Sequence, residues 1–407
     1  MLALAAPLSE ADCQVQSMPD TSPAKWHLAH VTWFFETFVL ERFEANFRPH
    51  HPAFRVLFNS YYQGVGEQHP RAQRGLITRP DLAAVLAYRA DVDARMALLL
   101  AGPVQTEQAQ QAHQADRADR AERDTLIELG LQHEQQHQEL LLTDVLHLLS
   151  CNPLAPVYRT RDQSAAQAPV QSAPAPALPQ DWVAFDGGLV EIGHTGPGFA
   201  FDSEGPRHSQ WLQPGALARR LVTQGEWLEF IEAGGYHDAR WWLSAGWDWA
   251  RTQRIEAPLY WRRNAAGTWQ HFGLAGLQDL TVDEAVCHIS LYEADAYAHW
   301  RAARDGLPLR LPTEAEWEHV ATAGGGLLQL FDTAWQWTAS SYLAYPGFRP
   351  CSGAVGEYNG KFMINQMVLR GGSVATPAGH TRASYRNFFP PETRWQFSGL
   401  RLAHDAI

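Results

Sequence analysis

The sequence predicts two folded domains of different texture, a helical N-terminal domain and an irregular α+β domain, joined by an extended linker. Three observations carry that expectation. Apolar residues recur at helical spacing through roughly the first 150 residues. From Gln163 to Gln180 the chain is rich in Ala, Pro and Gln, a composition that supplies no core. Beyond Asp181, short apolar runs are broken by Gly, Pro and Trp, the pattern of short strands and turns. The length of 407 residues also exceeds one ordinary core, since domains hold roughly 100 to 200 residues. The expected divisions are 1–155 for the helical domain, 156–180 for the linker and 181–407 for the second domain.

Met1 to Leu8 is apolar but lacks a basic start and gives way to Glu10, Asp12 and Asp20, so it reads as the start of a helix rather than a cleaved leader. Thr21-Ser22-Pro23 is a start signal for a helix over Trp26 to Arg42. Further helices are expected over Arg79 to Leu100 and Arg123 to Leu149. Between them Gln105 to Arg123 has little to bury and is expected to be a loop or a frayed helix extension. In the second domain Leu291 to Arg304 and Glu314 to Ala323 read as amphipathic helices. No repeat of roughly 20 to 50 residues is visible, which excludes solenoids and propellers.

With 45% hydrophobic and 19% charged residues the composition is that of a globular protein, and no apolar run approaches the ~20 residues of a membrane helix. A net charge of −12 without a Lys/Arg run argues against nucleic acid and anionic lipid as partners and for a small-molecule role. Cys13, Cys151, Cys287 and Cys351 are scattered without a Cys-x-x-Cys pair, which argues against a cysteine zinc site and a disulfide scaffold and fits a reducing cytoplasm. The 16 Trp suit an aromatic pocket and a large core equally.

The sharpest local feature is His133-Glu134-Gln135-Gln136-His137, where i, i+4 spacing stacks two imidazoles on one helix face. Leu126, Leu129, Leu140 and Leu141 lie on or beside that face, so both histidines point into a bundle interior. Zincin metalloproteases share a Glu after the first His, but the rest of this chain shows no sign of their fold. Trp26-His27-Leu28-Ala29-His30 offers two candidates for a third ligand at i, i+3 spacing. Three neutral imidazoles would leave an iron(II) ion its full charge and up to three open positions. A set of hydrogen-bonded core histidines is the alternative that spacing alone leaves open.

Together, Ser22-Pro23-Ala24-Lys25-Trp26-His27-Leu28-Ala29-His30, Phe58-Asn59-Ser60-Tyr61-Tyr62 and His133-Glu134-Gln135-Gln136-His137 resemble the ergothioneine-type sulfoxide synthases (the EgtB family). The resemblance continues through Leu311-Pro312-Thr313-Glu314-Ala315-Glu316-Trp317-Glu318, Arg370-Gly371-Gly372-Ser373 and Tyr385-Arg386-Asn387-Phe388-Phe389, which look like that family's formylglycine-generating-enzyme-like domain. Nearly the whole chain is covered. The resemblance implies a DinB-like four-helix bundle followed by a C-type-lectin-like (sulfatase-modifying-factor) domain, with the active site between them. It implies iron(II) at His30, His133 and His137, with His27 a supporting or packing residue, and O2 as co-substrate.

The implied acceptor is hercynine, the trimethylated betaine of histidine, with Gln136, Asn387 and Phe388 at matching contact positions. An amide suits the carboxylate or imidazole, and a Phe face suits a quaternary ammonium that offers no hydrogen-bond donor. Trp395 and Phe397 extend the cage or serve as core aromatics. Tyr61 or Tyr62 is the expected catalytic acid. The resemblance implies a donor from those that the family's branches use: γ-glutamylcysteine, cysteine or, in selenoneine synthases, a selenosugar. Phe389 stands where the γ-glutamylcysteine branch carries an acid, which favours the other two. Phe331-Asp332-Thr333-Ala334-Trp335-Gln336-Trp337-Thr338 departs from the usual Gly-Asn/Asp-Val-Trp-Glu-Trp-Thr, after a segment from Gly324 to Leu330 that looks short. Arg386, like Arg370, Arg382 and Arg394, is either a substrate anchor or a structural arginine. Competing classes are a true formylglycine-generating oxidase, which needs paired cysteines where only Cys351 lies, a DinB-type metal-dependent thiol transferase, and a non-catalytic lectin-like binding protein.

Overall fold

The computed structural model describes residues 1–101, 113–160, 181–324, 326–351 and 353–406. It divides into two units, each built on its own packing logic.

The first unit comprises Met1–Cys151 and the segment Ser352–Tyr358. Every residue of helix α1 (Ala24–Phe35) is buried, as expected of a helix that is apolar on all sides. It packs against α2 (Leu82–Ala101) and α3 (His113–Ser150). Helix α2 buries Val85, Tyr88, Val92 and Met96, spaced three or four apart along one stripe. A Cβ at Gly130 of α3 would lie 2.7 Å from the Phe35 ring, so glycine there lets α1 and α3 meet one turn before His133. No side chain caps α1 at Pro23. Instead the Ser22 amide donates to Asp144 Oδ2 of α3 at 2.7 Å, so the carboxylate also faces the positive end of the α1 dipole.

The predicted helix over Trp26 to Arg42 is present as α1, a π-helical turn Glu36–Leu40 and Glu41–Phe43. Short helices Leu2–Ala5 and Glu10–Gln14 occupy the N-terminus, the second closed by a Ser9–Asp12 capping box. Residues 113–123, read from sequence as a loop or frayed extension, belong to α3. Once the packed part of a helix exists, each added residue costs little even where it buries nothing. Residues 105–112 and the predicted linker Gln163–Gln180 lie outside the described residues. Among the described residues no helix is long and apolar enough to cross a membrane.

The second unit comprises Asn152–Cys351 and Asn359–Ile407. Its strands are short. One antiparallel sheet runs in the order Trp182–Phe185, Gly215–Ala218, Ala403–Asp405, Leu309–Arg310. Another runs Asn387–Phe389, Met367–Gly371, Trp335–Ser341, Ser398–Gly399, with its last pair parallel. A hairpin pairs Gly188–Ile192 with His208–Leu212, and a three-stranded sheet joins Trp261–Arg263, Trp269–Gly273 and Gly276–Asp279. Helices α4 (Leu291–Asp305) and α5 (Glu314–Thr322) start at Ser290–Glu293 and Thr313–Glu316 capping boxes, within a residue of the predicted bounds. Phe185, Ile192, Leu212, Leu217, Ala315 and Val320 join strands and α5 in one apolar cluster.

Buried arginines tie the irregular segments together. Arg370 Nη2 lies 3.0 Å from Glu314, 2.9 Å from Glu318 and 2.8 Å from the Tyr345 hydroxyl. Arg401 donates to Gln336 Oε1 at 2.9 Å and to the carbonyls of Ala218, Arg219 and Leu328; without a carboxylate partner, burial pulls its pKa down to about 9. Gln336 Oε1 also accepts from Trp317 Nε1 at 2.6 Å. Gln336, the departure from the usual Glu, is thus fully used inside the fold.

Replacing Arg370 leaves the buried Glu318 carboxylate without its cation and Glu314 with Arg386 alone. Arg370→Met should therefore destabilise the protein by about 3 to 5 kcal/mol, read as a lower urea midpoint; an unchanged midpoint would show that the network contributes nothing.

Candidate metal centre

Helix α1 presents His30, and α3 presents His133 and His137 one turn apart. One nitrogen from each lies within 4.8 Å of the others, and all three residues are buried. The partners of the remaining nitrogens fix much of the chemistry. His30 Nδ1 lies 2.6 Å from the Phe58 carbonyl, which only accepts, so the proton sits on Nδ1 and the lone pair on Nε2. Nε2 has no hydrogen-bond partner, nor has either nitrogen of His133. His137 Nδ1 lies 2.8 Å from His27 Nδ1, and His27 Nε2 lies 2.9 Å from Asp144 Oδ2.

Burial, reinforced by the neighbouring histidines, holds all three imidazoles neutral. His133 is lowered to about 3 by burial and then by His27; His30 and His137 are pulled well below the usual range by burial and then by His133. Orphaned nitrogens in an apolar interior cost about 1 to 3 kcal/mol each. A divalent cation would remove that cost, and neutral imidazoles carry no proton for it to displace. The donor set fits a metal such as iron, zinc or copper.

The Phe58-Asn59-Ser60-Tyr61-Tyr62 motif has a physical reason beside this triad. Phe58 supplies the carbonyl that orients His30. Asn59 knots the loop: its Nδ2 donates to the carbonyls of Tyr62, Gly66 and Glu67, and its Oδ1 accepts the Tyr62 amide at 3.0 Å. The Tyr61 hydroxyl donates to that of Tyr62 at 3.4 Å. Tyr62 is fully buried against Trp33 and Phe38, and burial, then Tyr61, raises its pKa well above the usual phenol value.

Sequence reasoning missed two further groups of this unit. Tyr358 sets its ring 5.7 Å from that of His133 and 6.5 Å from that of Tyr61, and its hydroxyl donates to Gln136 Oε1. Glu357 accepts the amides of Gln63 at 2.9 Å and Gly64 at 2.6 Å, clamping the tyrosine loop. Both lie about 300 residues along the chain from that loop, and no local pattern marks them.

In the second unit Asn387, Phe388 and Phe389 form one half-buried edge strand. Asn387 Oδ1 accepts the Phe388 amide at 2.9 Å. Phe388 stacks on Tyr342 at 4.1 Å, with Phe362 at 6.0 Å. Trp395 is half-buried.

Two of the residues read as substrate contacts are held by the packing of the second unit. Phe397 is buried, 6% exposed, with its ring 4.8 Å from that of His288. Arg386 grips Glu314 bidentately at 2.9 Å through Nε and Nη2 and donates to the carbonyls of Ser203 and Leu343, so its guanidinium is committed to the fold. Arg370, Arg382 and Arg394 are likewise paired, with Glu314, Glu204 and Glu293.

A depressed histidine pKa has a stability consequence. Above pH 6.5 neither folded nor unfolded His133 binds a proton; below it the unfolded state does and the folded state does not, so stability falls as pH drops from 6.5 toward 3. Chelator-treated protein should lose denaturant resistance in that window more steeply than a His133→Leu variant, by up to about 1.4 kcal/mol per pH unit for this one group. Parallel profiles would refute the neutral, buried assignment.

Comparison with known proteins bears on the same elements. A family model for the DinB superfamily matches residues 1–141, and one for the sulfatase-modifying factor enzyme 1-like domain matches residues 167–333. The hercynine oxygenase of Mycolicibacterium thermoresistibile is 30% identical over 97% of this chain and 90% of its own length. That of Mycobacterium tuberculosis is 28% identical over 97% and 94%. The formylglycine-generating enzyme of Streptomyces coelicolor is 29% identical over 39% of this chain and 52% of its own length. With both domain types in the same order and similarity running nearly end to end, the chain belongs to the hercynine oxygenase family, the ergothioneine-type sulfoxide synthases.

Proposed function

We propose that this chain joins a chalcogen atom to imidazole C2 of hercynine in an O2-dependent reaction, with iron(II) held by His30, His133 and His137. The observation that carries the reading is the buried triad of neutral imidazoles, whose orphaned nitrogens need a cation, in a chain of this family. Bound iron(II) would supply the one-electron chemistry with O2 that an organic side chain lacks.

With a thiol donor the balance is simple. The C2–H and S–H hydrogens leave in one water with one oxygen atom, the other oxygen ends on sulfur, and a C–S bond replaces C–H and S–H. What this chain contributes is position and protons. Tyr61 or Tyr62 delivers the proton, and of the two Tyr61 is the half-buried one whose hydroxyl already donates. Gln136, Asn387 and Phe388 contact hercynine: amides for the carboxylate or imidazole, the ring for the trimethylammonium. Phe362, beside Phe388, joins that aromatic wall, and Trp395 extends it.

The donor we favour is cysteine-like, because Phe389 offers no charge to a γ-glutamyl group. A selenosugar donor, giving a C–Se bond, is the second reading and rests on the same apolar position.

Iron-loaded protein, mixed anaerobically with hercynine and one donor at a time and then exposed to air, tests the proposal by mass spectrometry. A sulfoxide with cysteine supports the first reading, a selenium adduct the second, and no oxygen-dependent product with any donor defeats both. Changing His30, His133 or His137 to Ala should abolish iron loading and turnover without unfolding the second unit; retained iron in His137→Ala would remove the triad. Phe388→Ala should weaken hercynine binding by about 0.5 to 2 kcal/mol at unchanged iron content. Tyr61→Phe should divert turnover toward thiol oxidation at unchanged substrate affinity, and normal coupling in both Tyr61→Phe and Tyr62→Phe would exclude the pair.

A further inference from the structure

His27 and Asp144 belong to no step above, yet both are buried and both are aimed at the triad. Asp144 Oδ2 accepts from the Ser22 amide at 2.7 Å and faces His27 Nε2 at 2.9 Å; the Thr143 hydroxyl lies 3.3 Å from Oδ1. Arg74 is held nearby, its Nη1 donating to Ser22 Oγ at 2.9 Å and its guanidinium stacked 3.4 Å over the Trp26 ring. A carboxylate only accepts, so His27 carries its proton on Nε2 and turns the lone pair of Nδ1 toward His137. His137 must then place its own proton on Nδ1, in the 2.8 Å contact with His27. That leaves the His137 lone pair on Nε2.

We propose that Asp144 and His27 form a relay that fixes the tautomer and ring orientation of His137 and passes the pull of a buried carboxylate to it, making His137 the strongest donor of the triad. His27 and Asp144 are positioning residues, and the proposal rests on reading the triad as a metal centre. Within the triad this treatment is particular to His137. His30 is held by a neutral carbonyl, which fixes orientation with far less polarisation, and neither nitrogen of His133 has a hydrogen-bond partner. Metal-binding histidines commonly donate their second N–H to a carboxylate, and loss of such a partner typically weakens metal binding roughly 10- to 100-fold. Here an extra imidazole stands between carboxylate and ligand, so the anionic charge acts one ring further from the metal position.

The test uses the full chain, stripped of metal and titrated with Co(II), whose visible spectrum reports ligand field as well as occupancy. His27→Leu and Asp144→Asn should each raise the Co(II) dissociation constant roughly 10- to 100-fold and shift the spectrum of the bound ion. His27→Asn should recover part of the affinity, because its Oδ1 stands near the place of the lost Nδ1 acceptor, but should keep a shifted spectrum because Asp144 is disconnected. Circular dichroism monitors folding; if His27→Leu does not fold, the near-isosteric Asp144→Asn carries the same reading. Unaltered affinity and spectrum in folded Asp144→Asn and His27→Asn overturn the relay while leaving the metal centre intact. Wild-type protein that takes up no Co(II), or uptake indifferent to His133→Ala, overturns the metal centre and the relay with it.

Discussion

The first unit is organised around the cost of burying imidazoles. Each ring brings two nitrogens into an apolar interior, and each nitrogen must find a partner or remain a liability. The elements around the triad read as answers to that requirement. Helix α1 is buried on every side, which puts His27 and His30 in the centre rather than on a rim. Gly130 lets α3 come close enough for its two histidines to meet His30. Phe58 gives up its carbonyl to His30, and Asn59 closes the following loop so that this carbonyl is held in place. The nitrogens that remain unanswered converge on one another, the arrangement by which three histidines could hold a metal ion.

The second unit solves a different problem. Its strands run from two to seven residues, too short for ladder hydrogen bonds alone to hold long connecting segments. Side-chain hydrogen bonds from buried arginines replace them: one guanidinium can satisfy several loop carbonyls and a carboxylate together. Arg386 shows the consequence. It adjoins Asn387 and Phe388 in sequence, yet grips Glu314 and two backbone carbonyls, so it fixes the strand on which those residues stand.

Much of this was legible in the sequence, for identifiable reasons. The pairing of His133 and His137 follows from helical spacing, and the starts of α4 and α5 follow from local capping boxes. Choosing between His27 and His30 was beyond spacing, because both lie on α1 three residues apart and only the family resemblance separated them. Phe397 could not be told from a cage aromatic, since a residue name does not report whether a ring face is covered. Glu357 and Tyr358 were invisible for a third reason: a contact closing a loop of about 300 residues leaves no local pattern. Of the two alternatives left open for 113–123, a loop or a helix extension, the chain takes the helix, because a packed helix can extend into solvent at small cost.

The geometry supplies its own reason for the division of labour between His27 and His30. A ligand needs one nitrogen lone pair free and the other nitrogen anchored. His30 meets both conditions, with Nδ1 on the Phe58 carbonyl and Nε2 without a partner. His27 meets neither, because Asp144 claims the proton of Nε2 and the 2.8 Å approach of His137 consumes the lone pair of Nδ1. For His27 to bind a metal, its contact with His137 would have to break, leaving the His137 proton with no acceptor in a dry interior. In the proposed relay, the same contact that keeps His27 from serving as a ligand makes His137 a better one, and His27 and His30, one helical turn apart on α1, take complementary roles.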